Sequence, residues 1–253
     1  MPQPSILFRL FATLDRDRRL LVRVAVVYAL AGLLHVLVWA IDGGAWAGDV
    51  SWRKPIVFGL SGAITTASLA WALGAVKPSR VRSRGVRIYV VAMTIEIALI
   101  TVQRWRGVAS HFNTTTALDG AIFQLMGLLI VVASVPIVRW TIAVIRDRTL
   151  DPERRAMVGG GLVLLVSGLV IGMALTQLGT IGRIAEIPRL AAAGKGLVPA
   201  HALALHGIQG MAVLGWILPQ FVASAQRRVS LLRTATLVGL ALVTIAATVG
   251  MMA

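Results

Sequence analysis

The chain has 253 residues, of which 57% are hydrophobic and 14% charged. That composition excludes an ordinary soluble domain, and the absence of cysteine excludes disulfides, thiolate metal ligands, thiol nucleophiles and cysteine-linked haem. The net charge of +15 does not point to nucleic acid, because the basic residues lie in short segments between apolar runs, where they set membrane topology and meet anionic lipid.

Residues 5–19 (SILFRLFATLDRDRR) place Ile6, Leu7, Leu10, Phe11 and Leu14 on one helical face, which predicts a short helix in the cytoplasmic interface. Apolar runs then follow at 20–41, 55–76, 86–104, 119–145, 155–177, 200–225 and 229–252. Each is long enough to cross a hydrocarbon core of roughly 30 Å as helix. Lipid cannot satisfy a bare backbone, so helices are the open-ended choice. The expected fold is all-α: a polytopic seven-transmembrane-helix bundle over 20–253, in a single transmembrane domain whose residues 1–19 form the interfacial helix. Arg16, Arg18 and Arg19 precede the first span and no small-residue cleavage site follows it, so that span reads as an uncleaved anchor. No convincing internal repeat is visible. In span 5, Gly168 and Gly172 form a small-xxx-small pair suited to close packing inside the bundle.

Eighteen of the 25 Lys and Arg fall in one alternating set of connections. They are the N-terminal segment (Arg9, Arg16, Arg18, Arg19, Arg23), the loop after span 2 (Lys77, Arg80, Arg82, Arg84, Arg87), the loop after span 4 (Arg139, Arg146, Arg148, Arg154, Arg155) and the start of span 7 (Arg227, Arg228, Arg233). The positive-inside rule makes that set cytoplasmic, with the N-terminus inside, the C-terminus outside and a bacterial inner membrane as the expected location. The longest outer loops are 105–118 and 178–199, the second suited to a small amphipathic lid. Trp39, Trp46, Trp52 and Trp105 near the outer boundary are an aromatic belt or the wall of an apolar ligand pocket.

On this topology all four histidines fall in the outer half: His35 in span 1, His111 in the loop after span 3, His201 and His206 in span 6. Lys54 leads into span 2. Glu96 lies near the middle of span 3, with Gln103 two turns above it on the same face. Arg106, Ser110 and Asn113 follow in the loop, Asp119 opens span 4, and Gln209 follows His206. Ionisable groups inside a membrane are costly and are functional candidates by default, so a polar cavity opening outward is expected. Blander readings stand beside this one. His35 is a hydrogen-bonded core histidine, Glu96 pairs with Arg106 or Lys54, and His111 is solvated. His201 and His206 are five apart, about 140° around a helix, and share no face unless the helix start is irregular after Pro199.

Three functions suit these residues. In a membrane-embedded metalloenzyme, His111, His201, His206 and Asp119 hold a zinc-like divalent ion and Glu96 is general base. Arg106 or Lys54 then orients an anionic headgroup or stabilises developing charge, Ser110 joins the catalytic set, and the substrate is a small amphiphilic molecule from the outer leaflet. In a b-type haem protein, two histidines on different helices are axial ligands and Gly207 and Gly210 make space, with His35, His206, Gln209, Gln103 and Asn113 as the cofactor-binding candidates. In a non-catalytic sensor, binder or transporter, the histidines respond to protons. Against transport stands the lack of a polar trail through the cytoplasmic half. Membrane lipids are the expected partners in every case.

The strings SWRKPIVFG, RWRGVASHFN and HALALHGIQ resemble segments (W-x-KP, RG-x-x-SHFN, H-x4-H-x2-Q) of a family of uncharacterised bacterial seven-span membrane proteins, and the resemblance covers most of the chain. More loosely, Ser110-His111, Asp119 and His201/His206 resemble the Ser, His, Asp, His-His order of the seven-span CREST hydrolases, which include alkaline ceramidases and adiponectin-type receptors. That likeness implies a zinc ion inside the bundle and hydrolysis of lipid amides. The chain departs from the pattern where Ser110 directly precedes His111 and in the interval between His201 and His206.

Overall fold

The computed structural model describes residues 13–252. Among these residues there is no strand, and seven helices are long and apolar enough to cross a membrane. The chain is therefore an all-α, multi-pass membrane protein. The helices are α1 (Arg16–Asp42), α2 (Arg53–Ala72, prolonged by a 3-10 turn, Leu73–Ala75), α3 (Arg80–Trp105), α4 (Ala117–Arg146), α5 (Pro152–Ile184), α6 (Pro188–Gly196), α7 (Val198–Phe221) and α8 (Ala225–Met252).

Polar caps set the helix starts. Asp15, Ser79, Thr116 and Asp151 each accept the backbone N–H three residues on, which satisfies one of the orphan donors of a first turn. Residues 16–19, expected in the interfacial helix, are the first turn of α1; the rest of that expectation, 5–12, lies outside the described residues. The predicted lid over 178–199 is also reshaped. The helix of span 5 continues to Ile184, and α6 docks on α5 and α8. The docking is close because glycines face glycines: Gly194 against Gly179, and Gly196 against Gly250.

Contacts divide the chain into two compact units, Met1–Ala133 and Ser134–Ala253, with the boundary inside α4. The sequence marks no such boundary. In the first unit the core gathers around Tyr28, Ala63 and Ile97, and in the second around Leu164, Met211 and Leu232.

The two units repeat one design, which corrects the reading that no repeat exists. Helices α1 and α5 open on matching segments 136 residues apart, Asp15-Arg-Asp17-Arg18-Arg19 and Asp151-Pro-Glu153-Arg154-Arg155. The starts of α2 and α7 (Arg53, Val198) and of α3 and α8 (Arg80, Ala225) are both 145 residues apart. Packing follows the same offsets. Gly32 of α1 lies on Leu60 of α2, and Gly168 of α5 on Leu205 of α7; a Cβ on either glycine would sit 3.0 Å from that leucine's backbone nitrogen. Gly62 faces Tyr28 as Gly207 faces Leu164. Gly168 and Gly172 both pack inside the second unit, as the small-xxx-small pattern predicts.

Each unit is also stapled by an arginine from its third helix. Arg82 donates to Asp17 (3.0 Å), to Asp15 (2.8 Å) and to the carbonyls of Leu73 and Val76. Arg228 donates to both carboxylate oxygens of Glu153 (2.9 Å) and to the carbonyls of Val222 and Ala223. In both cases one guanidinium joins an acid at the start of the first helix to the end of the second. The fork geometry of arginine suits this task. By the 145 offset Arg82 corresponds to Arg227, so the staple has slipped one position in the second unit.

Candidate functional site

The predicted site residues divide between the units. His201, His206 and Gln209 lie on α7 in the second; all the others lie in the first. Among the described residues no three His, Asp or Glu side chains gather closely enough to hold one metal ion. The proposed ligand set of His111, Asp119, His201 and His206 forms no such group.

The reason is visible residue by residue. Helix α7 runs regularly from Val198, so the irregular start that would bring His201 and His206 onto one face is absent. His201 donates from Nδ1 to the Gly168 carbonyl (2.7 Å), and its ring lies on Gly172. His206 is exposed and Gln209 is half-buried. Asp119 accepts from Gln103 (3.0 Å), Arg106 (2.9 Å) and Thr116 (2.8 Å), so both carboxylate oxygens are engaged. Arg106 also bonds the Gln103 side-chain oxygen. This node ties the end of α3 to the start of α4.

His35 is buried and uses both ring nitrogens. Nδ1 donates to the Ala31 carbonyl (2.7 Å), which leaves Nε2 to accept from the Trp105 indole (3.3 Å). A haem or metal ligand needs a free ring nitrogen, so this arrangement fits the core-histidine reading. Asn113 is likewise consumed by its own loop: its amide donates to Ala109, and its oxygen accepts from Thr115.

Ser110 and His111 touch, with Oγ 2.9 Å from Nδ1. The imidazole sits among Phe58, Phe112 and Phe123. Burial, and then the positive charge of Lys54, push the His111 pKa down to about 4. The ring is therefore neutral at physiological pH, not the solvated histidine of the bland reading. No third group orients it among the described residues, so Ser110 and His111 lack the last member of a triad. Because the folded pKa lies below the ordinary value, stability linked to His111 is present above about pH 6.5 and is lost as pH falls toward 4, by about 3 kcal/mol at most. Thermal unfolding compared at pH 7 and pH 4 checks this: the acid loss should shrink in His111→Phe and is misassigned if it does not.

Glu96 differs from all of these. It is 1% exposed, and among the described residues it forms no ion pair and its Oε2 has no hydrogen-bond partner. Both cations that the ion-pair reading offered are otherwise placed: Arg106 binds Asp119, and Lys54 lies by His111. Glu96 also belongs to a series the sequence reading did not assemble. Arg82, Tyr89, Glu96 and Gln103 recur every seven residues along α3, and all are buried. Seven residues make two turns, about 10.5 Å of rise, so the four stay on one face. Hydroxyls flank the file. Tyr89 bonds Thr66 (2.8 Å), and Tyr28 of α1 bonds Thr94 (2.7 Å). This buried file runs from the Arg82 staple to the Asp119 node, where the sequence alone shows no polar trail through the cytoplasmic half. The heptad spacing is readable in the sequence, but Arg82 reads there only as a topology charge.

The second unit has no such file. At the positions 145 further on, α8 carries Thr234, Ala241 and Thr248 where α3 carries Tyr89, Glu96 and Gln103. The hydroxyl of Thr248 bonds its own helix at Thr244.

No family model, curated protein or solved structure matches the chain.

Proposed function

We propose that the chain is a proton-translocating protein of the bacterial inner membrane, with Glu96 as the residue that binds and releases the proton. The observation that carries this reading is the lone, buried carboxyl of Glu96 within a polar file as long as α3. An ionised carboxylate without a partner is expensive in a low-dielectric interior, so a proton or another cation must neutralise it. The groups that flank the file are hydroxyls, Tyr28 with Thr94 and Tyr89 with Thr66, which relay hydrogen bonds and do not form a cage of oxygen ligands for a metal cation. The repeat supports the same reading, since membrane carriers are often built from duplicated units. Divergence at Glu96, with Ala241 at the matching position, supports a role confined to one copy. This is the transporter branch of the three functions, made specific to protons.

The test is reconstitution into vesicles loaded with a pH dye, with an imposed potential driving proton entry. Wild type should acidify the lumen, Glu96→Gln should match protein-free vesicles, and Glu96→Asp should retain part of the rate. Wild-type vesicles no leakier than empty ones would sink the proposal. Replacing protons by sodium as the driven ion separates the proton from other cations.

A further inference from the structure

A second unusual group lies where α1 ends and α2 begins. The Arg104 guanidinium carbon sits 3.9 Å from the centre of the Trp52 ring. Asp42, the acid beside that ring, accepts from the Trp52 indole N–H (3.1 Å) and forms no ion pair with Arg104. Among the described residues Arg104 has no carboxylate partner, and its Nε is buried without an acceptor. Ser51, adjoining Trp52 in the chain, is 1% exposed and its hydroxyl also lacks a partner. Buried polar groups are nearly always hydrogen-bonded, so an orphan guanidinium nitrogen on the Trp52 ring, with an orphan hydroxyl at the residue before Trp52, marks a place for a ligand.

The surroundings define its class. Arg53, exposed at the first residue of α2, adds a second positive charge. Trp105 packs edge-on to Trp52 at 5.3 Å and is 61% exposed. Trp46, paired with Trp39 at 4.9 Å, is exposed as well. The connection 43–52 is irregular, held open by Gly43, Gly44 and Gly48 at positive φ, and the Arg104 Nη2 is 3.9 Å from where a Gly44 side chain would begin. A guanidinium stacked on an indole keeps its in-plane N–H donors directed outward, an arrangement suited to carboxylate or phosphate oxygens. The exposed Trp105 indole beside Trp52, and Trp46 in the adjoining connection, suit an apolar chain.

We infer that Arg104, stacked on Trp52 next to Ser51 in the chain, is a binding site for the headgroup of an amphiphilic anion, its apolar part lying along Trp105 and Trp46. A membrane phospholipid and a free alkyl phosphate or carboxylate share this chemistry. The site does not depend on the role of Glu96; in a proton-translocating protein it is where a co-transported anion would load.

Full-length protein in an uncharged detergent, titrated with dodecyl phosphate and followed by tryptophan fluorescence, tests the site. Saturable binding is expected, with Arg104→Gln weaker by roughly ten- to hundredfold and Arg104→Lys between the two. Glu96→Gln should bind as wild type does, so failure of the proton reading leaves this result intact. Equal binding by Arg104→Gln and wild type, or equal binding of dodecanol, would overturn the assignment. So would inorganic phosphate binding as tightly as the dodecyl compound. Mass spectrometry of the purified protein separates the sources. An anionic phospholipid retained by wild type and lost from Arg104→Gln identifies a lipid headgroup; its absence from both, with dodecyl phosphate still bound, identifies a free anion.

Discussion

Arg82→Ala should destabilise the first unit by about 3–5 kcal/mol, the usual cost of stranding the partners of a buried charge. The guanidinium side chain is only 4% exposed. Its removal leaves Asp15, Asp17 and the carbonyls of Leu73 and Val76 without that donor. Ser83 still donates to Asp17, and Arg18 still reaches the Ala70 carbonyl, so the junction weakens without dissolving. Arg82→Lys should recover part of the loss, since an ammonium keeps the charge but not the fork. Arg228→Ala should cost less, because its pair with Glu153 is wetter, at 16% and 19% side-chain exposure. Denaturant titration in detergent measures all three. An Arg82→Ala loss under about 1 kcal/mol would show that the staple is an ordinary surface pair.

Gly59→Val is the second substitution with a large expected effect. A Cβ at Gly59 would lie 2.8 Å from the backbone N and Cα of Gly32 and 3.1 Å from the Tyr28 carbonyl oxygen. These are backbone atoms and cannot swing aside, so α1 and α2 must separate. Overpacking of a side chain against side chains costs about 1–3 kcal/mol, and a clash with backbone should reach or exceed the top of that range. The second unit shows how much room the design tolerates. At the equivalent position it carries Ala204, whose Cβ faces Gly168. Gly59→Ala should therefore be milder than Gly59→Val. Gly127→Ala, with nothing within 4 Å, serves as the neutral control. Equal folded yields from Gly59→Val and Gly127→Ala would mean that the α1–α2 crossing is looser than its geometry requires.

The seven spans were legible because hydrocarbon thickness imposes a length that composition reveals directly. Their ends were less so. Asp15 and Ser79 cap helices that begin several residues before the apolar runs, since arginines such as Arg82 extend a helix without extending its hydrophobic stretch. The repeat was hidden because its two copies share few residues: the acidic openings, Gly32 with Gly168, Gly62 with Gly207, and the serine caps Ser79 and Ser224. Small residues record how closely helices approach, and a single sequence does not say which helix approaches which. The histidines misled for a related reason. A shared depth in the membrane suggested a shared site, yet His35 answers to Trp105 and His201 to Gly168. Azimuth around each helix decided the partner, and depth did not reveal it.

Carrying one three-helix plan twice gives this chain a redundancy that a single plan lacks. One copy has Ala241 where the other has Glu96, and a docked helix across its end. The other is thereby released to hold a carboxyl in oil and to leave its equivalent connection open. Duplication thus leaves both halves with the same stapled packing and only one of them with a carboxyl buried midway along its third helix.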